Sequence, residues 1–144
     1  MKTEKIAIIF ITSTHKKKAF NYGLNLAKKF GSRVTLLTAL YKQPPMFGFF
    51  ETKGDKKHRE KQKELAEKSL DELIQKSVDS EIPIKKEVII SDAVSKSITS
   101  YVNQREFDLV ILDHPKLSRF EESYFGNVVC ELHKELNCPL LIMK

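Results

Sequence analysis

Residues 107–144 read FDLVILDHPKLSRFEESYFGNVVCELHKELNCPLLIMK. Phe107 to Leu112 reads as a short apolar strand, and the segment ends on a second one, Leu140 to Met143. Between them come a polar stretch, the pair Gly126-Asn127, and apolar residues Val128, Val129, Leu132 and Leu136 at helical spacing. The reading is strand, loop, a helix of about three turns entered at Gly126-Asn127, then strand. Two strands joined through a helix are expected to lie parallel in one sheet.

The rest of the chain repeats that alternation. Ile6 to Ile11 is a continuous apolar run, as a strand covered on both faces requires. Thr12-Ser13-Thr14-His15 follows as a polar loop able to cap a helix, whose inner face is read as Ala19, Tyr22, Gly23, Leu26, Ala27 and Phe30. Gly31 is placed to end that helix. Arg33 to Leu40 reads as the second strand. Residues 41–57 read as a loop, since Pro44-Pro45 excludes a regular element there. Met46, Phe47, Phe49 and Phe50 on that loop are expected either to fold over the sheet edge or to contact a partner. A charged helix is expected from His58 to about Val78, with Leu65, Ala66, Leu70, Leu73 and Ile74 inward. A strand within Ile84 to Ile90 follows, then a helix capped by Ser91 or Asp92 and buried through Val94, Ile98, Tyr101 and Val102. The fold class expected is therefore α/β: a doubly wound, open, five-stranded parallel sheet with helices on both faces, Rossmann-like, in one domain over 1–144.

An apolar fraction of 41% is enough for a core on both faces of such a sheet. No apolar run approaches the ~20 residues of a membrane helix, and the start of the chain lacks a leader pattern, so a cytoplasmic protein without membrane contact is expected. The formal charge is +6, from 25 basic and 19 acidic residues. The lysines are mostly interleaved with glutamate, as in Glu60 to Glu64, and read as a solvated face. No stacking-aromatic or zinc module accompanies them, so nucleic acid is not the expected partner. Cys130 and Cys138 are read as two ordinary thiols, Cys130 half-buried.

Taken in order, Asp108 to Leu112, the spacing from Asp113 to Gly126, and Cys138 to Ile142 resemble the C-terminal half of the universal stress protein family, with an adenine nucleotide alpha hydrolase-like fold. In that family's nucleotide-binding branch, the resemblance implies a Gly-x2-Gly-x9-Gly-Ser/Thr loop whose backbone N–H groups hold phosphate. The corresponding positions here are Asp113, Lys116, Gly126 and Asn127. The family's aspartate before Gly-Ser, at the end of the first strand, is matched by Ile11, ahead of Thr12 and Ser13. The degenerate cofactor positions are thus Thr12, Ser13, Asp113, Lys116, Gly126 and Asn127, and no cofactor is expected. The resemblance implies a stress-response protein acting through protein contacts. It implies a homodimer paired along the last strand, Leu140, Leu141, Ile142 and Met143. The alternative is a sensor or weak ATPase in which Lys116, Arg119 or Lys16 reaches the phosphate of ATP, ADP or AMP.

His15 and His114 both follow strands, so an acid–base or weak metal site would need them to converge with Asp113. No catalytic order of Ser, His and Asp, no paired carboxylates and no GxxxxGK or GxGxxG string is present, and no enzyme is expected.

Overall fold

The computed structural model describes residues 3–45, 48, 50–77 and 81–144. Met46, Phe47, Phe49 and Val78, singled out in the sequence, lie outside the described residues. The elements run β1 (Lys5–Phe10), α1 (Lys17–Phe30), β2 (Arg33–Tyr41), α2 (Lys53–Gln75), β3 (Ile84–Ser91), α3 (Val94–Gln104), β4 (Leu109–Asp113), α4 (Arg119–Glu135) and β5 (Leu140–Met143). The five strands form one sheet in the order β3-β2-β1-β4-β5, and every pairing is parallel.

Ile6 to Phe10 are sealed from solvent, so the unbroken apolar run of β1 corresponds to the middle of the sheet. One face joins Ala7, Ile9, Leu37, Ala39, Val110 and Leu112 to buried residues of α3 and α4. The other joins Ile6, Ile8, Phe10, Val34, Leu36 and Ile111 to α1 and α2. The chain winds outward from β1 to β3 on one side and from β4 to β5 on the other. The reversal between β1 and β4 is the topological switch point of the sheet.

Helix boundaries depart from the sequence reading, and each departure has a local cause. The inner face of α1 is Ala19, Phe20, Gly23, Leu24 and Ala27, while Tyr22 and Phe30 are exposed. The helix is thus rolled so that Gly23 lies against β1. A Cβ on Gly23 would fall 2.3 Å from Ile8 Cδ1, so glycine permits this approach. Gly31 does end the helix in the left-handed conformation, at φ 67°. The N-cap of α1 is Lys16, without a side-chain cap, so the Thr12–His15 loop does not cap it.

α2 begins at Lys53, earlier than expected, because Thr52 and Asp55 form a reciprocal capping box. Its buried residues are Ala66, Leu70 and Leu73, and Leu65 is exposed. Ala93, not Ser91 or Asp92, is the N-cap of α3. Ser91 instead ties the turn, accepting the Ala93 N–H at 3.0 Å and the Ser97 hydroxyl at 2.7 Å. Among the described residues no helix is long and apolar enough to cross a membrane.

Gly23→Val should lower the free energy of unfolding by about 1–3 kcal/mol through overpacking against Ile8. Urea denaturation followed by far-UV circular dichroism measures this, and an unchanged midpoint would contradict the close α1–β1 approach.

Candidate functional site at the switch point

Two loops meet at the carboxyl ends of β1 and β4. One carries Thr12, Ser13, His15 and Lys16, the other His114, Pro115, Lys116 and Ser118. The Thr12 hydroxyl donates to the Thr14 carbonyl at 2.9 Å and so stiffens its own loop. Asp113 ends β4 and is only 3% exposed. Its carboxyl forms no hydrogen bond among the described residues, and burial raises its pKa, opposed by the nearby positive charges of Lys16 and His114. Lys116 is exposed and points no ion pair at this center, and Ser13 is half-buried.

The β4–α4 connection is much shorter than the sequence suggested. α4 starts at Arg119, capped by Ser118, whose hydroxyl accepts the Glu121 N–H while Glu121 accepts from the Ser118 N–H. Gly126 and Asn127 therefore lie in the middle of α4 and not at its entrance. A Cβ on Gly126 would meet nothing within 4 Å, so nothing in this fold demands glycine there. The N–H groups of both residues are committed to the helix interior. At the true start of α4, the capping box and the acidic Glu121 and Glu122 take the place an anion would occupy.

Aromatic contacts hold the first turns of α4 down. Phe125 is buried with its ring edge-on to His114 at 4.4 Å between centroids, and His114 Nε2 lies 3.5 Å from Glu122. Tyr124 meets Tyr41, at the end of β2, edge-on at 6.3 Å. The His114 N–H donates to the Met143 carbonyl at 2.7 Å, linking this loop to the end of β5.

The two histidines do not converge. His114 packs with α4 on one face of the sheet. His15 is on the other, its ring tilted against Phe10 at 4.5 Å between centroids, with Nδ1 2.7 Å from Ser69 Oγ and Nε2 2.8 Å from Thr38 Oγ1. Both of its ring nitrogens are occupied in pinning α2 to β2. The convergence that a shared acid–base site would need is absent, because the sheet lies between the two rings. No group of His, Cys, Asp and Glu suited to a metal occurs among the described residues. Cys130 is exposed, not half-buried, and both cysteines are free.

A feature the sequence reading missed is a cleft of about 830 Å³ beyond the ends of β2 and β3. Tyr41, Pro44 and Ile90 line it together with His58, Arg59 and Asp92. The Thr52-x-x-Asp55 spacing was the available signal, because it starts α2 early enough to wall the cleft.

The family model for the universal stress protein family matches residues 3–144. The chain belongs to the universal stress protein family. Among solved structures, universal stress protein UspA from Lactobacillus plantarum is 17% identical, covers 99% of each chain and superposes with a TM-score of 0.71. A family protein from Arabidopsis thaliana with AMP bound is 18% identical, with 98% of this chain and 91% of that one covered and a TM-score of 0.60. The universal stress protein from Archaeoglobus fulgidus in complex with dAMP is 11% identical, with both chains fully covered (100%) and a TM-score of 0.60. No curated protein matches the sequence. At these identities the likeness to solved structures is one of fold.

Burial holds the His15 imidazole down from its ordinary 6.5 to about 4. The unfolded chain takes up a proton near pH 6.5 and the folded chain only near 4, so folding weakens as the pH falls through that window. Stability should drop by on the order of 2 kcal/mol there, once solvent screening of a partly open ring is allowed for. Denaturation at stepped pH checks this: His15→Gln should remove that part of the slope, and an identical slope in both proteins would refute it.

Proposed function

We propose that this chain is a universal stress protein that works through its surfaces, as a homodimer paired along β5, and not by holding a nucleotide phosphate in the β4–α4 loop. The observation that carries this reading is the start of α4 at Arg119 behind the Ser118–Glu121 capping box. A phosphate loop needs free backbone N–H groups on a flexible, uncrowded segment. Here helix occupies that segment, the Glu121 carboxylate accepts the Ser118 N–H and the Ser118 hydroxyl accepts the Glu121 N–H, and Asp113 stands at the position of the first glycine.

The β5 edge supports the dimer. β3 and β5 are the terminal strands of the sheet. β3 carries Lys85, Lys86 and Glu87, charges of the kind that discourage edge pairing. β5 carries only Leu140, Leu141, Ile142 and Met143, with Ile142 37% exposed. Antiparallel pairing with a second copy would satisfy its outer backbone groups and cover Ile142.

A second reading, a nucleotide sensor with a remodelled loop, draws support from the relatives bound to AMP and dAMP and from Lys16 near Asp113. Calorimetry with ATP and AMP, with and without magnesium, separates the two. No saturable heat up to millimolar nucleotide is the expected result, and micromolar binding would overturn the proposal in favour of the sensor.

The wild-type chain should sediment as a dimer, and Ile142→Asp as a monomer of unchanged circular dichroism. Sedimentation equilibrium decides this. A wild-type monomer, or a variant that remains dimeric, would rule out the β5 interface.

A further inference from the structure

The opposite end of the sheet carries a second pocket, of about 280 Å³, at the amino ends of β1, β2 and β3 beside the end of α3. Parallel register assembles it. Lys5 of β1 lies beside Arg33 of β2, and Thr35 of β2 lies beside Lys85 of β3. All four residues have the parity that points them to the α3 face. Arg105, just past α3, adds a fourth cation. Lys5, Arg33, Lys85 and Arg105 thus line one small concavity, and no carboxylate lines it.

Two of these cations are already committed. The Arg105 guanidinium stacks 3.8 Å above the Tyr101 ring and donates to the Tyr101 carbonyl at 3.3 Å. Lys5 Nζ lies 4.7 Å from the Phe107 ring center and donates to the Arg105 carbonyl. These contacts close the end of α3 and fix the pocket wall. Arg33 and Lys85 have no ion-pair partner among the described residues. Asp108 accepts the N–H groups of Glu4 and Lys5 at 2.8 and 3.0 Å. Glu87 lies outside the lining, though near enough to help burial raise the pKa of the Tyr101 hydroxyl.

Two hydroxyls of the lining are open to a ligand. Thr35 is 8% exposed and Tyr101 6%, and neither hydroxyl has a hydrogen-bond partner among the described residues. No sealed side-chain nitrogen or oxygen among the described residues lacks a partner. Both hydroxyls therefore reach the surface, and the pocket they line is where they do so.

We propose that this amino-end pocket binds a small phosphorylated metabolite, with Arg33 and Lys85 taking the phosphate charge and the Thr35 hydroxyl donating to a phosphate oxygen. The clustering of cations calls for more than one negative charge on a compact group, which a phosphate supplies and a single carboxylate does not. The volume is at the low end for small-molecule sites, which start at about 300 Å³. Pro83 and Phe107 offer an apolar wall for a short organic portion. The site is independent of the switch point, so the outcome of nucleotide binding there leaves it untouched.

The test is an NMR titration of the ¹⁵N-labelled full chain with inorganic pyrophosphate and with glycerol phosphate, at matched ionic strength in sodium chloride. The expected result is saturable shifts at the amides of Arg33, Thr35 and Lys85, and none at His114 or Lys116. Arg33→Gln with Lys85→Gln should weaken binding by more than about tenfold. Thr35→Val, which keeps shape and charge, should weaken it by about threefold to tenfold. Non-saturating shifts would overturn the proposal, as would a Thr35→Val protein that binds like wild type. Much tighter binding of a single-stranded RNA oligonucleotide than of pyrophosphate would overturn it in favour of an extended polyanion surface.

Discussion

Ile6 to Phe10 of β1 are all inaccessible to water, and most of the architecture follows from keeping them so. Alternate side chains of one strand need apolar cover on both sides of the sheet. Ile6, Ile8 and Phe10 are covered by α1 and α2, and Ala7 and Ile9 by α3 and α4. Helices can reach both faces in a parallel sheet only if the winding reverses, and it reverses at β1. Burial of the central strand thus also creates the crevice between the carboxyl ends of β1 and β4, the usual place for a ligand in such a fold.

What this chain does with that crevice is set by the Ser118–Glu121 box. A helix that starts at Arg119 leaves only a short connection after Asp113, and brings Tyr124 onto Tyr41 and Phe125 onto His114. The same helical turns place Glu121 and Glu122 in the first turn of α4, where acidic side chains favour the helix dipole. At the amino end of the sheet, Lys5, Arg33, Lys85 and Arg105 converge.

The strands and their parallel pairing were legible because continuous apolar runs separated by helical spacing leave few alternatives, whereas the order β3-β2-β1-β4-β5 came from the structure. Boundaries set by capping were less so. Gly126-Asn127 looked like a helix entrance, yet Ser118-x-x-Glu121 was the stronger signal and Thr52-x-x-Asp55 was its counterpart before α2. Tyr22 and Phe30 fit the helical period of α1, but packing against Ile8 rolled Phe20 and Leu24 inward instead. Of the candidate residues, Thr12, Ser13, Asp113 and Lys116 do flank the crevice, while Gly126 and Asn127 are carried away into α4. Strand register decides the rest. Neither the separation of His15 from His114 by the sheet nor the meeting of Arg33, Thr35 and Lys85 can be read from spacing along the chain.

The most direct test of this account is the ¹³Cα secondary shift of residues 114–130 in solution. Helical shifts should begin at Arg119 and run unbroken through Gly126 and Asn127. Coil-like shifts from Asp113 to Phe125, with helix beginning only at Gly126, would contradict it and restore an open loop at the switch point.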